Sequence, residues 1–309
     1  MGVGHRPGAA LLAVLVFVAC LLPRTAGGQQ TESARMSRLR AAIERLRPLH
    51  EPLGEPLPGD WLFRFDEPGQ TFDEYRRCDP VVPHAGRAVI YVQPMGEFTE
   101  KQNDIITLTT EYMRAFFSVP VRVTKGLPLS LVPGNARRRP ACGEVQILTR
   151  YVLKRVLEPR LPSDAAAYIG FTASDLWPGK GWSYVFGQAW LRGRVGVWSL
   201  HRFGDPHESE EGFRLCLRRT MKLATHETGH MLSMRHCIRY ECNMCGCNDL
   251  EESDRHPLWL CPECMAKVCW ATRADPVERY RRLSDMCRSY GFEAEAAFFE
   301  KSIEVLTAP

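Results

Sequence analysis

The sequence predicts a mixed α/β fold in which a sheet lies over one long helix and a cysteine-rich subdomain follows toward the C-terminus. Three observations predict it. Short β-branched runs alternate with helical stripes through the middle of the chain, the succession that builds layered α/β structures. One helical stretch, Glu211 to Met234, carries His226 and His230 on a single face. Directly after it comes a dense group of cysteines, from Cys237 to Cys269.

At the N-terminus, His5 and Arg6 precede an apolar run from Ala9 to Leu22, then Pro23 and the small-residue stretch Thr25-Ala26-Gly27-Gly28. That order is the pattern of a secretory signal, so residues 1–28 are read as a signal peptide. The run is about 14 residues, short of the ~20 that span a bilayer, and no later segment is long and apolar enough. A secretory location is expected from this leader, with an intracellular one as the alternative. Residues 31–47 read as a helix, with Met36, Leu39, Ala42, Ile43 and Leu46 at helical spacing. Pro48 to Gly59 is Pro/Gly-rich and reads as a surface linker. Residues 29–60 thus form an N-terminal helix and linker, and the main domain, 61–309, begins at Trp61.

Within that domain, Ala88–Val92 is a β-branched run bounded by Gly86 and Pro94 and reads as a buried strand. Phe98–Phe117 places Ile105, Leu108, Thr109, Tyr112 and Phe116 on one helical stripe. Val119–Val123 is the next expected strand, and a helix is expected near Ile147–Leu157. Ala166–Phe171, Ser183–Leu191 and Val195–His201 read as further strands, then comes the helix Glu211–Met234. Pro276–Gly291 and Glu293–Leu306 read as closing helices.

Composition narrows the classes. An apolar share of 45% with 25% charged residues is ordinary for a globular chain. A chain of 309 residues buries a core without staples, so twelve cysteines ask for another use. The net charge of +4 is small, and the basic spots at Arg137–Arg139, Arg155 and Arg160 have no aromatic residues stacked between them. Nucleic-acid binding therefore has no support. Nothing in the pattern specifies self-association.

The segment HETGHMLSMRHC occupies residues 226–237. Residues four apart on a helix lie on one face about 5–6 Å apart, so His226 and His230 can present two imidazoles to one ion. Glu227, one position on, faces the mouth of the same cleft, where it can serve as general base. A catalytic zinc takes three protein ligands and keeps one position open. His236 supplies the third, yet it lies roughly 600° around the helix from His230, off the ligand face. The helix must end and the chain reverse, most economically through a left-handed residue near position 233. Glycine fits there best. This sequence has Ser233, where that conformation costs roughly 1–2 kcal/mol. Zinc ligation contributes far more. The competing reading is a set of ordinary core or surface histidines.

A second metal is expected at once. Cys237 and Cys242, with the C-x-x-C pair Cys261 and Cys264, can close a four-thiolate zinc site, structural because no position is open. Residues 237–264 are read as that structural segment, giving two zinc ions per chain. Cys245, Cys247 and Cys269 compete as ligands. The other reading is a disulfide knot, which a secreted location favours.

At HETGHMLSMRHC…CNM…CPEC the chain resembles the archaemetzincins, zincin-fold metallopeptidases with the pattern H-E-x-x-H-x-x-G-x-x-H-C, then C-x-M, then a distal C-x-x-C. His226, Glu227, His230, His236, Cys237, Cys242, Met244, Cys261 and Cys264 all fall on it, and Ser233 stands where the family has glycine. Trp61-Leu62, Ile90–Pro94 and Phe116-Phe117 before Val119-Pro120-Val121 are similar too, so the resemblance spans roughly residues 40–275. It implies that Met244 forms a turn beneath the catalytic zinc. The resulting expectation is a zinc-dependent metallopeptidase acting on peptide or protein substrates. The ion polarises a carbonyl and lowers the pKa of water from roughly 15.7 to about 7. Glu227 takes the proton and returns it to the leaving amine. Tyr240 and His201 are candidates for an oxyanion partner, and the strand Val195–His201 for the edge that pairs with an extended substrate. One alternative, favoured by Ser233, is a catalytically silent zinc-stabilised binding protein. Another is a disulfide-stapled secreted interaction protein.

Overall fold

The computed structural model describes residues 26–140, 143–190 and 193–309, so the leader reading lies almost wholly outside the described residues. The chain divides into two compact units, Met1–Arg38 and Leu39–Pro309. The long helix α1 (Ala26–Leu46) runs from the first into the second. The second unit begins at Leu39, and Leu39, Ala42, Ile43 and Leu46 are buried. Among the described residues no helix is long and apolar enough to cross a membrane.

Past α1 the main unit continues with the short helices α2 (Trp61–Arg64) and α3 (Phe72–Arg77), then β1 (Val89–Met95), α4 (Glu100–Phe117) and β2 (Val121–Val123). Next come β3 (Arg137–Arg138), β4 (Gln146–Leu148) and α5 (Thr149–Tyr151), which continues as a π-helical turn over Val152–Leu157. β5 (Ala165–Thr172), β6 (Asp175–Trp177), β7 (Gly187–Ala189) and β8 (Val195–Ser199) lead to the long helix α6 (Glu210–Met231). The C-terminal part is helical: α7 (Leu250–Arg255), α8 (Pro262–Thr272), α9 (Pro276–Ser289) and α10 (Glu293–Thr307).

The main sheet has the order β2-β1-β5-β8-β7. Its first four strands are parallel, and β7 runs antiparallel to β8. All eight residues of β5 and all five of β8 are buried. Strands without a polar face belong in the interior of a parallel sheet covered on both sides. One face packs on α4 and α6. The other covers a core of Val152, Leu153, Val156, Leu157, Tyr168 and Val197. A smaller sheet, β3-β4-β6, lies alongside.

Three sequence expectations change. The helix expected near Ile147–Leu157 starts only after Leu148, because Gln146–Leu148 pairs with β6. The strand expected over Ser183–Leu191 contracts to Gly187–Ala189. Its first part is pulled toward the small sheet: Val185 N–H donates to the Leu176 carbonyl, and Arg138 and Gln146 donate to the Ser183 carbonyl. Finally, Val195–His201 is not an edge. It becomes β8, interior between β5 and β7, and the edge on that side of the sheet is β7.

Candidate metal centres and active-site cleft

α6 begins where Ser209 caps it, its hydroxyl accepting from Gly212 N–H at 2.9 Å, and Glu210 and Glu211 complement the first-turn dipole. It ends at Met231. Ser233 then takes φ 70°. Its N–H donates to the His230 carbonyl at 2.8 Å, and Met234 N–H donates to the Gly229 carbonyl at 3.0 Å. This bond pair is a Schellman turn with serine at the left-handed position. The reversal expected at Ser233 is therefore present, and it has supports the sequence did not reveal. Val81 N–H donates to the Ser233 hydroxyl at 3.0 Å, and the buried Tyr75 hydroxyl donates to the Leu232 carbonyl at 2.8 Å.

The reversal brings His236 to the two helix histidines. One nitrogen from each of His226, His230 and His236 lies within 4.8 Å of the others, and His226 Nε2 stands 2.9 Å from His230 Nε2. Each ring is held from its far side. His226 Nδ1 donates to the Asn243 carbonyl at 2.8 Å, His230 Nδ1 to the Met234 carbonyl at 2.7 Å, and His236 Nδ1 to the Glu67 carboxylate at 2.9 and 2.8 Å. With every Nδ1 donating, every Nε2 has its lone pair free for a metal. Burial pushes His226 well below the ordinary histidine range and His230 down to about 4, keeping both neutral, the form that ligates. Three converging imidazoles fit a zinc ion with one position left open.

Glu227 lines the same cleft, and burial raises its carboxyl to about 7. β7 passes over it: a Cβ on Gly187 would come within 3.5 Å of Glu227 Cγ and 3.0 Å of Trp198 Cβ. Beneath the helix, Met244 is buried against Gly229, where a Cβ would sit 2.7 Å from its sulfur. A side chain at this glycine of the histidine motif would have to displace the Met244 thioether. The cleft is a cavity of about 330 Å³ walled by Trp61, Trp182, Tyr184, Phe186, Phe203 and Leu223. A second hollow of about 310 Å³ opens on the far side of the histidines, beside Glu67 and Arg235, and Ala189 of β7 borders both. Tyr240 and His201 are not in either wall, so neither expected oxyanion partner stands at the centre. Residue 240 is instead bridged to Pro52, and His201 lies beside Arg202 and Asp249.

The four expected cysteines converge as well. One sulfur from each of Cys237, Cys242, Cys261 and Cys264 lies within 4.8 Å of the rest, all buried. Cys237 and Cys261 sulfurs are 3.7 Å apart, far beyond the roughly 2.05 Å of a disulfide. Hydrogen bonds from the neighbouring thiols pull Cys237 well below the ordinary thiol range, while burial pushes Cys242 and Cys261 well above it. One thiolate is stabilised unaided. Ionising Cys242 and Cys261 calls for a cation, and four thiols at this spacing fit zinc. Met244 N–H and Cys261 N–H donate to Cys242 sulfur at 3.4 and 3.2 Å, the pattern a ligating thiolate receives. Of the competing cysteines, Cys247 donates to the Cys245 carbonyl and Cys269 to Met265 sulfur, while Cys245 donates to the Tyr240 carbonyl and also reaches Cys237 sulfur from outside the tetrad.

Sequence reasoning missed Glu67, Tyr75 and Val81, and used Trp61 only as the start of the main domain and in the resemblance. No ligand spacing singles these residues out.

Comparison with known proteins places these features. Peptidase family M54 matches residues 166–269. Archaemetzincin-2 of Homo sapiens is 31% identical over 274 residues, covering 78% of this chain and 76% of that protein. Archaemetzincin-2 of Pongo abelii is 30% identical over 287 residues, covering 82% and 79%. Among solved structures, archaemetzincin from Methanopyrus kandleri is similar with a TM-score of 0.48 and 25% identity, over 62% of this chain and 99% of that one. The malonate complex of archaemetzincin from Archaeoglobus fulgidus gives a TM-score of 0.45 and 26% identity, over 58% and 99%.

Proposed function

The chain belongs to the archaemetzincins, a family of zinc metallopeptidases, and from that premise we propose that it hydrolyses peptide bonds at the histidine triad with Glu227 as general base. The observation that carries this reading is three imidazoles with engaged Nδ1 atoms and converging Nε2 atoms, beside one buried carboxyl in a cleft. His226, His230 and His236 would hold a zinc ion, which when bound would supply Lewis acidity and a lowered pKa for water. Glu227 accepts the proton of the attacking water and delivers it to the leaving amine. Cys237, Cys242, Cys261 and Cys264 hold a second, structural zinc.

The substrate in this reading is an extended peptide laid along β7. Phe186 and Trp190 are hydrogen-bonded to β8, so the alternation of an antiparallel pair turns the backbone groups of Gly187 and Ala189 outward. No further strand among the described residues pairs with β7, whose three residues are half-buried, and hollows border the triad for the flanking side chains. The silent-module alternative leaned on Ser233. That serine forms the reversal and His236 joins its partners, which supports catalysis.

Replacing Glu227 by glutamine tests the reading. Zinc content should be unchanged and turnover of a peptide substrate should fall roughly 10²–10⁴-fold. Turnover retained in that variant would remove Glu227 from the mechanism.

A further inference from the structure

The three histidines are braced by unequal partners. His226 and His230 donate to carbonyls of Asn243 and Met234, within the same stretch of chain as the histidines themselves. His236 alone donates to a carboxylate, that of Glu67, which stands 169 residues earlier. The asymmetry matters because α6 fixes the direction of the first two rings, whereas His236 follows the left-handed turn at Ser233 and no helix aims it.

Glu67 is itself held in place. Trp61 Nε1 donates to Glu67 Oε1 at 2.9 Å, and Trp61 N–H donates to Glu252 Oε1 at 2.8 Å. The Trp61 ring meets His236 edge-on at 5.1 Å between centroids and fills the space above Gly246, where a Cβ would come within 2.5 Å of it. Gln70 accepts from Arg235 N–H at 3.2 Å, and Lys267 Nζ donates to the Gln70 carbonyl at 2.5 Å. Further upstream, Leu53 N–H donates to the Arg239 carbonyl, and Glu241 N–H to the Glu51 carbonyl, both at 3.0 Å.

We propose that Glu67 is the positioning residue of the third metal ligand, and that the segment from Glu51 to Val81 is a built part of the metal centre rather than a linker passing over it. The carboxylate holds His236 in the tautomer and orientation that turn Nε2 toward the ion, and it raises the donor strength of the imidazole. Glu67 does not touch substrate. The inference rests on the metal-site reading above, and its failure is separable from that one.

The test uses the full chain with Glu67→Ala and Glu67→Gln, titrated for zinc against a competing chelator. Zinc at the histidine site should bind about 10–100-fold more weakly in Glu67→Ala, with Glu67→Gln between that and the wild type because it keeps an acceptor oxygen without the charge. The cysteine-site zinc and the circular dichroism should not change, and cobalt placed at the histidine site should show shifted absorption bands in Glu67→Ala. Asp73→Asn, which removes a carboxylate paired only on the surface with Arg40 and Arg76, should match the wild type. Wild-type zinc affinity and cobalt spectrum in both Glu67 variants would overturn the proposal. If Glu67→Ala does not fold, the glutamine variant decides alone, weakened affinity supporting the proposal and unchanged affinity overturning it. A wild type with no zinc on its histidines would instead sink the metal-site reading itself.

Discussion

At the scale of single residues, Ser233 and His50 show how a local cost is met by the surroundings. Ser233 sits at φ 70°, where a side chain costs roughly 1–2 kcal/mol, and its hydroxyl recovers part of this by accepting from Val81. His50 has no such compensation. It is buried between Tyr240 and Phe298, and neither ring nitrogen has a partner. Burial lowers its pKa from 6.5 to about 4, with Cys237 pulling weakly the other way. The folded ring therefore stays neutral down to about pH 4, whereas the unfolded ring takes a proton below 6.5. Between those values the unfolded state holds more protons, so stability falls as pH falls, by on the order of 3 kcal/mol over the whole window. In His50→Leu this part of the acid dependence should vanish. Urea unfolding of both proteins between pH 4 and 6.5 measures it, and equal slopes would exclude His50 as the source.

At the scale of elements, β7 and α6 divide the work of the cleft. α6 is long enough to bury one face in the core while its last turns present His226, Glu227 and His230 to the cleft. β7 is only three residues, yet it is an edge of the main sheet. Ala189→Pro removes one outward N–H while leaving the inward pairing of Gln188 with Val197, a substitution edge strands tolerate. If an extended substrate pairs there, kcat/KM should drop about tenfold, the worth of one backbone hydrogen bond, with zinc content unchanged. Peptide kinetics equal to wild type would place the substrate elsewhere. The histidine and cysteine clusters were legible at this scale because helix spacing and C-x-x-C spacing are local. The edge was not, since β8 and β7 are both short runs and only pairing decides which one is covered.

At the scale of the whole molecule, the two candidate zinc sites differ in access. The histidines line an open cleft, whereas the four cysteines are 0–6% exposed. A chelator should strip one zinc with the fold intact and release the second only as the fold opens, because burial shields it and its binding is coupled to folding. Native mass spectrometry with far-UV circular dichroism follows both steps. A single zinc per chain, or two lost together without unfolding, would remove the structural role from the tetrad. The same scale explains the main shortfall in reading the sequence. Pro48–Gly59 looks like a linker in isolation and residues 61–81 carry no ligand spacing, yet Glu51, Leu53, Trp61, Glu67, Gln70 and Val81 all bond to the segment that carries or follows the histidines.

The sequence by itself determined the candidate ligand set, the carboxyl beside it and the alternation of helix and strand, because each is written in spacings shorter than a few turns of helix. Tertiary structure alone decided which of β7 and β8 is an edge, which glycines meet a close approach and which carboxylate braces His236. Those depend on approaches between segments far apart in the chain, and no local periodicity encodes a contact of that kind.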